Sequence, residues 1–386
     1  MNFLVYTILL FIFAFVTCNY LTPKIRVLML SKNLAAQPNN RSSHEVPIPN
    51  LGGIAFYVVL MISFYFIASS QFFGVETPET LHDSGNIIVA LIPGLTILFI
   101  VGLKDDIIVL APLSKLLAQL LATVLFVFHY SKTINNLYGF MGIEDINPIL
   151  AGAIAVFILV AVINAINLID GIDGLAASAS IIMFSAFGVA FYTINHIFLF
   201  SVCIVMIGTL LAYLRFNLSS TQKIFMGDTG SMILGFMLGV MAISFLSLDP
   251  KDLAQMPIRG ENLPIVTVAI LIIPFFDTLR VFIIRISKNK NPFKPDRSHI
   301  HHIIIDKFSI SHRKASFLLG ISNFLIIIMM SFLAATASNV ILLWVFIGLL
   351  LLMSVFFFLI SKSGWFLKIK NRNINKQKSE ARRLKN

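Results

Sequence analysis

Charged residues are scarce in this sequence. They make up 12% of its 386 residues, about half of the roughly 25% that is usual in soluble domains. Hydrophobic residues make up 58%. This composition excludes an ordinary soluble protein and indicates that most of the chain lies in an apolar solvent.

Cysteine is almost absent as well. The chain contains only Cys18 and Cys203, and each falls within a long apolar run. Two such isolated thiols support neither a disulfide framework nor a thiolate metal site.

Long apolar runs account for most of the chain. About eleven of them have the length that crosses a hydrocarbon core as a helix. They are continuous rather than alternating, which predicts an all-α polytopic membrane protein. The runs are 1–21, 51–69, 87–103, 113–130, 149–168, 175–194, 197–214, 231–248, 263–282, 315–335 and 340–361. The first has no charged segment before it and no small-residue cleavage site, so we expect an uncleaved anchor.

Basic residues are distributed unequally between the two sides that eleven spans define. With the N-terminus outside, the segments on the inner side hold 26 of the 29 Lys and Arg residues. By the positive-inside rule this asymmetry predicts an outer N-terminus and cytoplasmic polar loops and C-terminus. We expect an integral membrane domain over 1–361 and a basic tail over 362–386. The tail is typical of a membrane-surface anchor rather than of a nucleic-acid arm. Small surface helices are expected in the outer segments 71–85, 131–148 and 249–262.

A pair of acids ends the third run. Asp105 and Asp106 are adjacent, and two neighbouring carboxylates repel each other unless a cation or a proton neutralises them. A solvated loop is the alternative interpretation of this pair.

A polar stripe interrupts the fifth run. Asn164, Asn167 and Asp170 recur at three-residue spacing, and Asp173 follows beside two glycines. At about 100° per residue the first three lie on one helix face. An Asp in a span costs about 2.5–3.5 kcal/mol, so this stripe predicts a functional cleft.

A third acidic segment, 225–231, begins the eighth run. Asp228 lies in it between two glycines. It is either a helix N-cap or part of a site where backbone amides face a phosphate.

A basic loop with three histidines precedes the tenth run. His299, His301 and His302 cannot share one helix face, and no cysteine accompanies them, which argues against zinc. With Arg297 beside them they favour a loop that binds a polyanion. The segment 39–53, with Arg41 and His44, is polar and suits a phosphate or nucleotide contact.

Together the three acidic segments carry five aspartates on the side predicted to be inner. Carboxylates without cysteine suit a hard ion, Mg²⁺ or alternatively Mn²⁺, that also binds substrate phosphate oxygens. Charge neutralisation, positioning and a base are what phosphoryl transfer requires.

The order of these motifs from Arg41 to His302 resembles the polyprenyl-phosphate N-acetylhexosamine-1-phosphate transferases. The segments 164–174 and 295–302 carry the most specific part of the resemblance, and the second also resembles the branch that uses UDP-N-acetylhexosamines. The resemblance implies transfer of a sugar 1-phosphate from a UDP-sugar to undecaprenyl phosphate in the bacterial inner membrane, with release of UMP. It also implies Mg²⁺ dependence, and a homodimer is common among relatives.

The resemblance also implies roles for individual residues. Asp105 is expected to be the base for the lipid phosphate, with Asp106 in support. Asp228 is expected to be the principal metal ligand, while Asp170 and Asp173 organise the metal and nucleotide cleft. The residues expected to bind substrate are Asn164, Asn167, Phe225, Arg297, His299, His301, His302, Arg41 and His44.

Three alternatives remain open. A phospho-N-acetylmuramoyl-pentapeptide transferase is a related enzyme with a different histidine loop. A transporter would carry titratable groups near the middle of the membrane and internal repeats. A structural assembly protein would need no paired acids.

Overall fold

The protein is an almost entirely helical bundle. The computed structural model describes residues 2–32, 48–70, 80–130, 134–289 and 299–362. Its helices are α1 Phe3–Ser31, α2 Gly53–Ala68, α3 Thr80–Ile108, α4 Pro112–Tyr130, α5 Pro148–Ile169, α6 Leu175–Thr193, α7 Ile197–Asn217, α8 Gly227–Leu246, α9 Pro250–Leu253, α10 Leu263–Ile270, α11 Ile272–Ser287, α12 Ile300–Phe308, α13 His312–Thr336 and α14 Asn339–Lys362.

The predicted polytopic helical class is confirmed. Within the described residues, nine helices are long and apolar enough to cross a membrane, and the α10–α11 pair makes ten if it counts as one bent span. Each of the eleven predicted apolar runs falls on helix. The run at 51–69 forms the shorter, 16-residue helix α2.

The run at 263–282 is a broken helix rather than a straight span. α10 and α11 meet at an angle of 73°. Pro274 explains the break, because it has no N–H to donate to the carbonyl of Ile270 and its ring clashes with that carbonyl. α11 therefore runs in a different direction from α10.

α8 is the central helix. Every residue from Thr229 to Leu246 is buried, and α2, α3, α5, α6 and α10 all pack against it. Small residues permit this packing: a Cβ built on Gly235 would lie 2.6 Å from the Cα of Ile163 in α5. Gly239 follows one turn later, so one small-residue face of α8 meets α5.

The segment expected to form a surface helix between α4 and α5 is instead a hairpin. β1 Asn136–Phe140 pairs antiparallel with β2 Ile143–Asp145. Gly142, with φ of +79°, lies in the tight turn between them. A residue with a left-handed backbone cannot continue a helix, so the conformation of Gly142 is incompatible with the expected surface helix. The composition of the segment did not predict this conformation. At 249–262 the structure does contain short helical turns.

The polar segments converge because of how the helices alternate. The C-terminal ends of α3, α5 and α7, the N-terminal ends of α4, α6, α8 and α13, and the N-terminal half of α11 carry one set of polar contacts, described next. One end of the bundle therefore carries the candidate site.

Candidate active site at one end of the bundle

A lysine joins the acids of two different helices. Nζ of Lys115, in the second turn of α4, lies 2.5 Å from Oδ2 of Asp105 and also pairs with Oδ2 of Asp228. The Asp105 side chain is only 6% exposed. Its other oxygen accepts the backbone N–H of Leu110 at 2.5 Å. One cation thus holds together two carboxylates that would otherwise repel each other.

Asp106 binds the backbone of α8. It accepts the N–H of Asp228 at 2.8 Å, and the N–H and hydroxyl of Thr229 at 2.9 and 2.6 Å. The first-turn amides of a helix have no intrahelical acceptor, so Asp106 caps α8 from another helix. This replaces the N-cap that the sequence allowed for Asp228, whose own carboxylate faces Lys115 instead.

Gly227 makes this cap possible. Its φ is +69°. A Cβ at this position would lie 2.5 Å from both carboxylate oxygens of Asp106 and 2.0 Å from the carbonyl oxygen of Asn50. Only glycine fits both the backbone conformation and the space.

The stripe on α5 faces α4 and α8, as its spacing predicts. Asn167 donates to Oδ1 of Asp228 at 2.7 Å and to Ser231 at 2.8 Å. Asn164, one turn earlier, donates to Oε1 of Gln119 at 2.7 Å. These amides orient the Asp228 carboxylate and tie α5 to its neighbours.

Asp170 follows the last turn of α5 and differs from the other acids of the site. No described residue forms a hydrogen bond or an ion pair with its carboxylate. Burial, together with the negative charges of Asp228, Asp106 and Asp173, raises the pKa of Asp170 well above its ordinary value. Such a carboxylate takes up either a proton or a cation.

Asp173 has cationic partners. Its Oδ2 lies 2.5 Å from Nζ of Lys223 and 3.4 Å from Nδ1 of His312, and its backbone carbonyl accepts the hydroxyl of Ser316 at 2.7 Å. Burial alone would raise the pKa of Asp173, but hydrogen bonds and charge from His312 and Lys223 hold it below its ordinary value. Asp173 therefore fastens the 170–174 turn to α13.

Asn217 also holds this turn. The N–H of Gly174, whose φ is +80°, donates to Oδ1 of Asn217 at 2.7 Å. The Asn217 side chain is buried and donates in turn to the carbonyl of Ile224 at 3.1 Å. Asn217 is thus occupied within the protein.

Two of the three histidines lie beside a buried acid, Asp277. His299 Nδ1 lies 3.0 Å, and His301 Nδ1 3.8 Å, from Oδ2 of Asp277 in α11. The centroid of the His302 ring lies 4.3 Å from the centroid of the His301 ring. Burial lowers the pKa of His301 to about 3, so this ring is neutral near pH 7.

Some predicted site residues lie elsewhere or outside the described chain. Arg41, His44 and Arg297 fall outside the described residues. Phe225 is partly buried, with Nζ of Lys223 5.6 Å from its ring centroid. Its backbone is fixed by the carbonyl of Pro49 at 2.8 Å.

Sequence reasoning missed four residues of this site. They are Lys115, Lys223, Asp277 and His312. Asp277 was detectable as a lone acid within an apolar run. Lys223 and His312 lie far along the chain from Asp173, which both contact. Lys115 is near Asp105 in the sequence but 113 positions from Asp228, and no local pattern marks it.

A preformed metal cluster is not part of this arrangement. Among the described residues, no group of three or more His, Cys, Asp or Glu side chains is placed to hold an ion. The donors nevertheless suit Mg²⁺, which typically takes one or two carboxylates and completes its shell with water and substrate phosphate. Asp170 and Asp228 are close enough for their charges to interact, and Asp170 lacks a described cationic partner.

Comparison with known proteins finds similar chains. Residues 88–246 match glycosyl transferase family 4, a region that contains the five aspartates predicted from the sequence. The chain is 28% identical over 316 residues to the probable undecaprenyl-phosphate N-acetylglucosaminyl 1-phosphate transferase of Bacillus subtilis, covering 82% of this chain and 81% of the relative.

Two further relatives have similar names. The decaprenyl-phosphate N-acetylglucosaminephosphotransferase of Mycolicibacterium smegmatis is 28% identical over 318 residues, which cover 78% of this chain and 75% of the relative. The undecaprenyl-phosphate alpha-N-acetylglucosaminyl 1-phosphate transferase of Escherichia coli is 27% identical over 277 residues, which cover 70% and 69%.

Proposed function

We propose that this chain transfers a sugar 1-phosphate from a UDP-sugar to undecaprenyl phosphate, because residues 88–246 match glycosyl transferase family 4 and similar chains are named for transfer of this kind. The sugar is N-acetylglucosamine or a related N-acetylhexosamine, and UMP is released. The observation that carries this proposal is that one lysine ammonium, Nζ of Lys115, pairs with both Asp105 and Asp228 at one end of a membrane bundle.

The reaction that we propose is a direct displacement. An oxygen of the lipid phosphate forms a bond to the sugar-linked phosphorus, and the bond from that phosphorus to the bridging oxygen breaks. UMP leaves with the bonding electron pair. In this proposal Asp105 accepts the proton of a protonated lipid phosphate, and Lys115 neutralises charge that builds up on the transferring phosphoryl group. A two-step route through a phosphorylated aspartate is the alternative.

We propose that Asp228 and Asp170 hold Mg²⁺, or Mn²⁺ in its place. When bound, the ion neutralises charge on the diphosphate of the nucleotide sugar. The protein's own groups then have three tasks. Asn167 orients Asp228, Asp106 fixes the backbone beneath it, and Asp173 with Lys223 holds the turn that carries Asp170.

The remaining predicted residues are assigned to the substrate. Phe225 would stack on uracil, and Arg41, His44, Arg297 and the three histidines would bind the diphosphate or the sugar. We place the site and the C-terminus on the cytoplasmic side of a bacterial plasma membrane, supported by the distribution of Lys and Arg. The resemblance favours a homodimer.

The alternatives receive less support. A transporter would need titratable groups near mid-membrane, whereas the acids described above meet at one end of the bundle. The three relatives are named for N-acetylglucosamine and none for a muramoyl-pentapeptide.

A substrate panel tests the proposal. Purified protein in detergent is supplied with undecaprenyl phosphate, Mg²⁺ and each of several UDP-sugars, UDP-N-acetylmuramoyl-pentapeptide included. UMP release that requires both the lipid phosphate and a UDP-N-acetylhexosamine is the expected result. Release without the lipid phosphate, or with the pentapeptide alone, would overturn it.

A further inference from the structure

A sixth aspartate lies near the site without belonging to the five predicted from the sequence. Asp277 is 0% exposed and lies in α11, after the break in the bent helix pair. Burying a carboxylate is costly unless hydrogen bonds or opposite charges compensate for the lost water. Its contacts therefore indicate what it does.

The Asp277 carboxylate organises the start of the histidine helix α12. Oδ1 accepts the backbone N–H of Ile300 at 2.8 Å, and Oδ2 lies 3.0 Å from Nδ1 of His299. Arg280, one turn further along α11, is a cationic residue that interacts electrostatically with Asp277. One side chain thus joins α11 to the first residues of α12.

This contact also fixes the His299 ring. The hydrogen bond between Nδ1 of His299 and Oδ2 of Asp277 holds the ring in one orientation. The direction in which the Nε2 atom of the ring points is thereby set by Asp277. The His299 side chain is 7% exposed, which leaves it little freedom to rotate.

His301 connects α12 to the 170–174 turn. It is 1% exposed. A Cβ built on Gly171 would lie 2.5 Å from its Nε2 atom, so the ring lies directly against the turn that carries Asp170. A displaced α12 would therefore disturb both the histidines and the turn.

We propose that Asp277 is a positioning residue for sugar-phosphate transfer, which orients His299 and holds His301 against Gly171. This inference rests on the proposed function. Asp277 touches neither substrate nor metal in this account, and it acts through the histidines.

A double-mutant cycle tests this inference. Turnover of UDP-N-acetylhexosamine with undecaprenyl phosphate is measured for the wild type, Asp277→Asn, His299→Gln and the double variant. Loss of such an orienting partner typically lowers activity about 10- to 100-fold. We expect each single variant to lose activity in this range and the double variant to be no worse than His299→Gln alone, because both remove the same oriented ring. Asp306→Asn, an exposed acid on α12, is the matched control and should retain wild-type turnover.

Several outcomes would overturn the inference. Wild-type turnover by Asp277→Asn would do so, as would losses that multiply in the double variant. Asp277→Glu, which keeps the charge, enters the same cycle if the Asn variant does not fold. If neither variant folds while His299→Gln does, Asp277 serves stability alone and the inference is wrong. An inactive wild type would instead overturn the proposed function, and with it the basis of this inference.

Discussion

The carboxylate of Asp106 accepts a hydrogen bond of 2.8 Å from the backbone N–H of Asp228. One acid of the site thereby fixes the backbone position of another, although 121 residues lie between them in the sequence. The Asp105–Asp106 pair is thus divided between two tasks. Asp105 forms an ion pair with Lys115, and Asp106 caps α8.

The cap predicts a sharp difference between two glycines. Gly227 and Gly142 both have positive φ, +69° and +79°, but only Gly227 has no room for a Cβ; nothing lies within 4 Å of one at Gly142. Gly142→Ala should cost only the backbone penalty, about 1 kcal/mol. Gly227→Ala should lower the melting temperature further and abolish turnover. Equal losses in thermal unfolding and in activity would contradict the cap.

Lys115 is predicted to be needed for turnover. Lys115→Met keeps much of the side-chain volume but removes the charge shared by Asp105 and Asp228. We expect turnover to fall by about 100-fold or more, with membrane insertion retained. Lys251→Met, on α9, is the control and should behave like the wild type. A Lys115→Met enzyme of normal rate would exclude Lys115 from the mechanism.

Asp170 is predicted to contribute to metal binding. Asp170→Asn keeps the shape of the side chain but removes a negative ligand. After removal of bound metal with a chelator, the Mg²⁺ concentration for half-maximal activity should rise by about tenfold or more, because affinity depends on the charge of the ligand set. Glu144→Gln, in the exposed hairpin, should not change it. An unchanged Mg²⁺ dependence in Asp170→Asn would remove this residue from the metal site.

Asp105 and Asp228 are predicted to be indispensable for turnover. Asp105→Asn and Asp228→Asn should each abolish turnover, because neither amide can accept a proton or bind a cation as a carboxylate does. Both proteins should still insert into the membrane and elute as folded protein in detergent. Rates close to those of the wild type in either variant would refute the assignment.

The helical fold was largely predictable because the length and polarity of a run are local properties. Ten of the eleven runs form unbroken helices. The break before Pro274 and the hairpin at 136–145 were missed, although the first depends on one residue that the sequence shows. The polar stripe on α5 was predictable for the same reason, since its spacing alone places Asn164 and Asn167 on one face.

The contacts within the site were not predictable in the same way. Lys115 meets Asp228 across 113 positions, and His299 meets Asp277 across 22. Such pairs depend on which helix ends come together, a tertiary property without a local pattern. The sequence therefore indicated the residue types of the site more completely than the partner of each residue.

The central claim is that the sugar moves together with its phosphate. The most direct test uses a UDP-N-acetylhexosamine labelled with ³²P in the phosphate next to the sugar, incubated with the purified protein, undecaprenyl phosphate and Mg²⁺. We expect the label to enter the lipid product and the released nucleotide to be unlabelled UMP. Label released as UDP, with an unlabelled lipid product, would show transfer of the sugar alone and contradict the account.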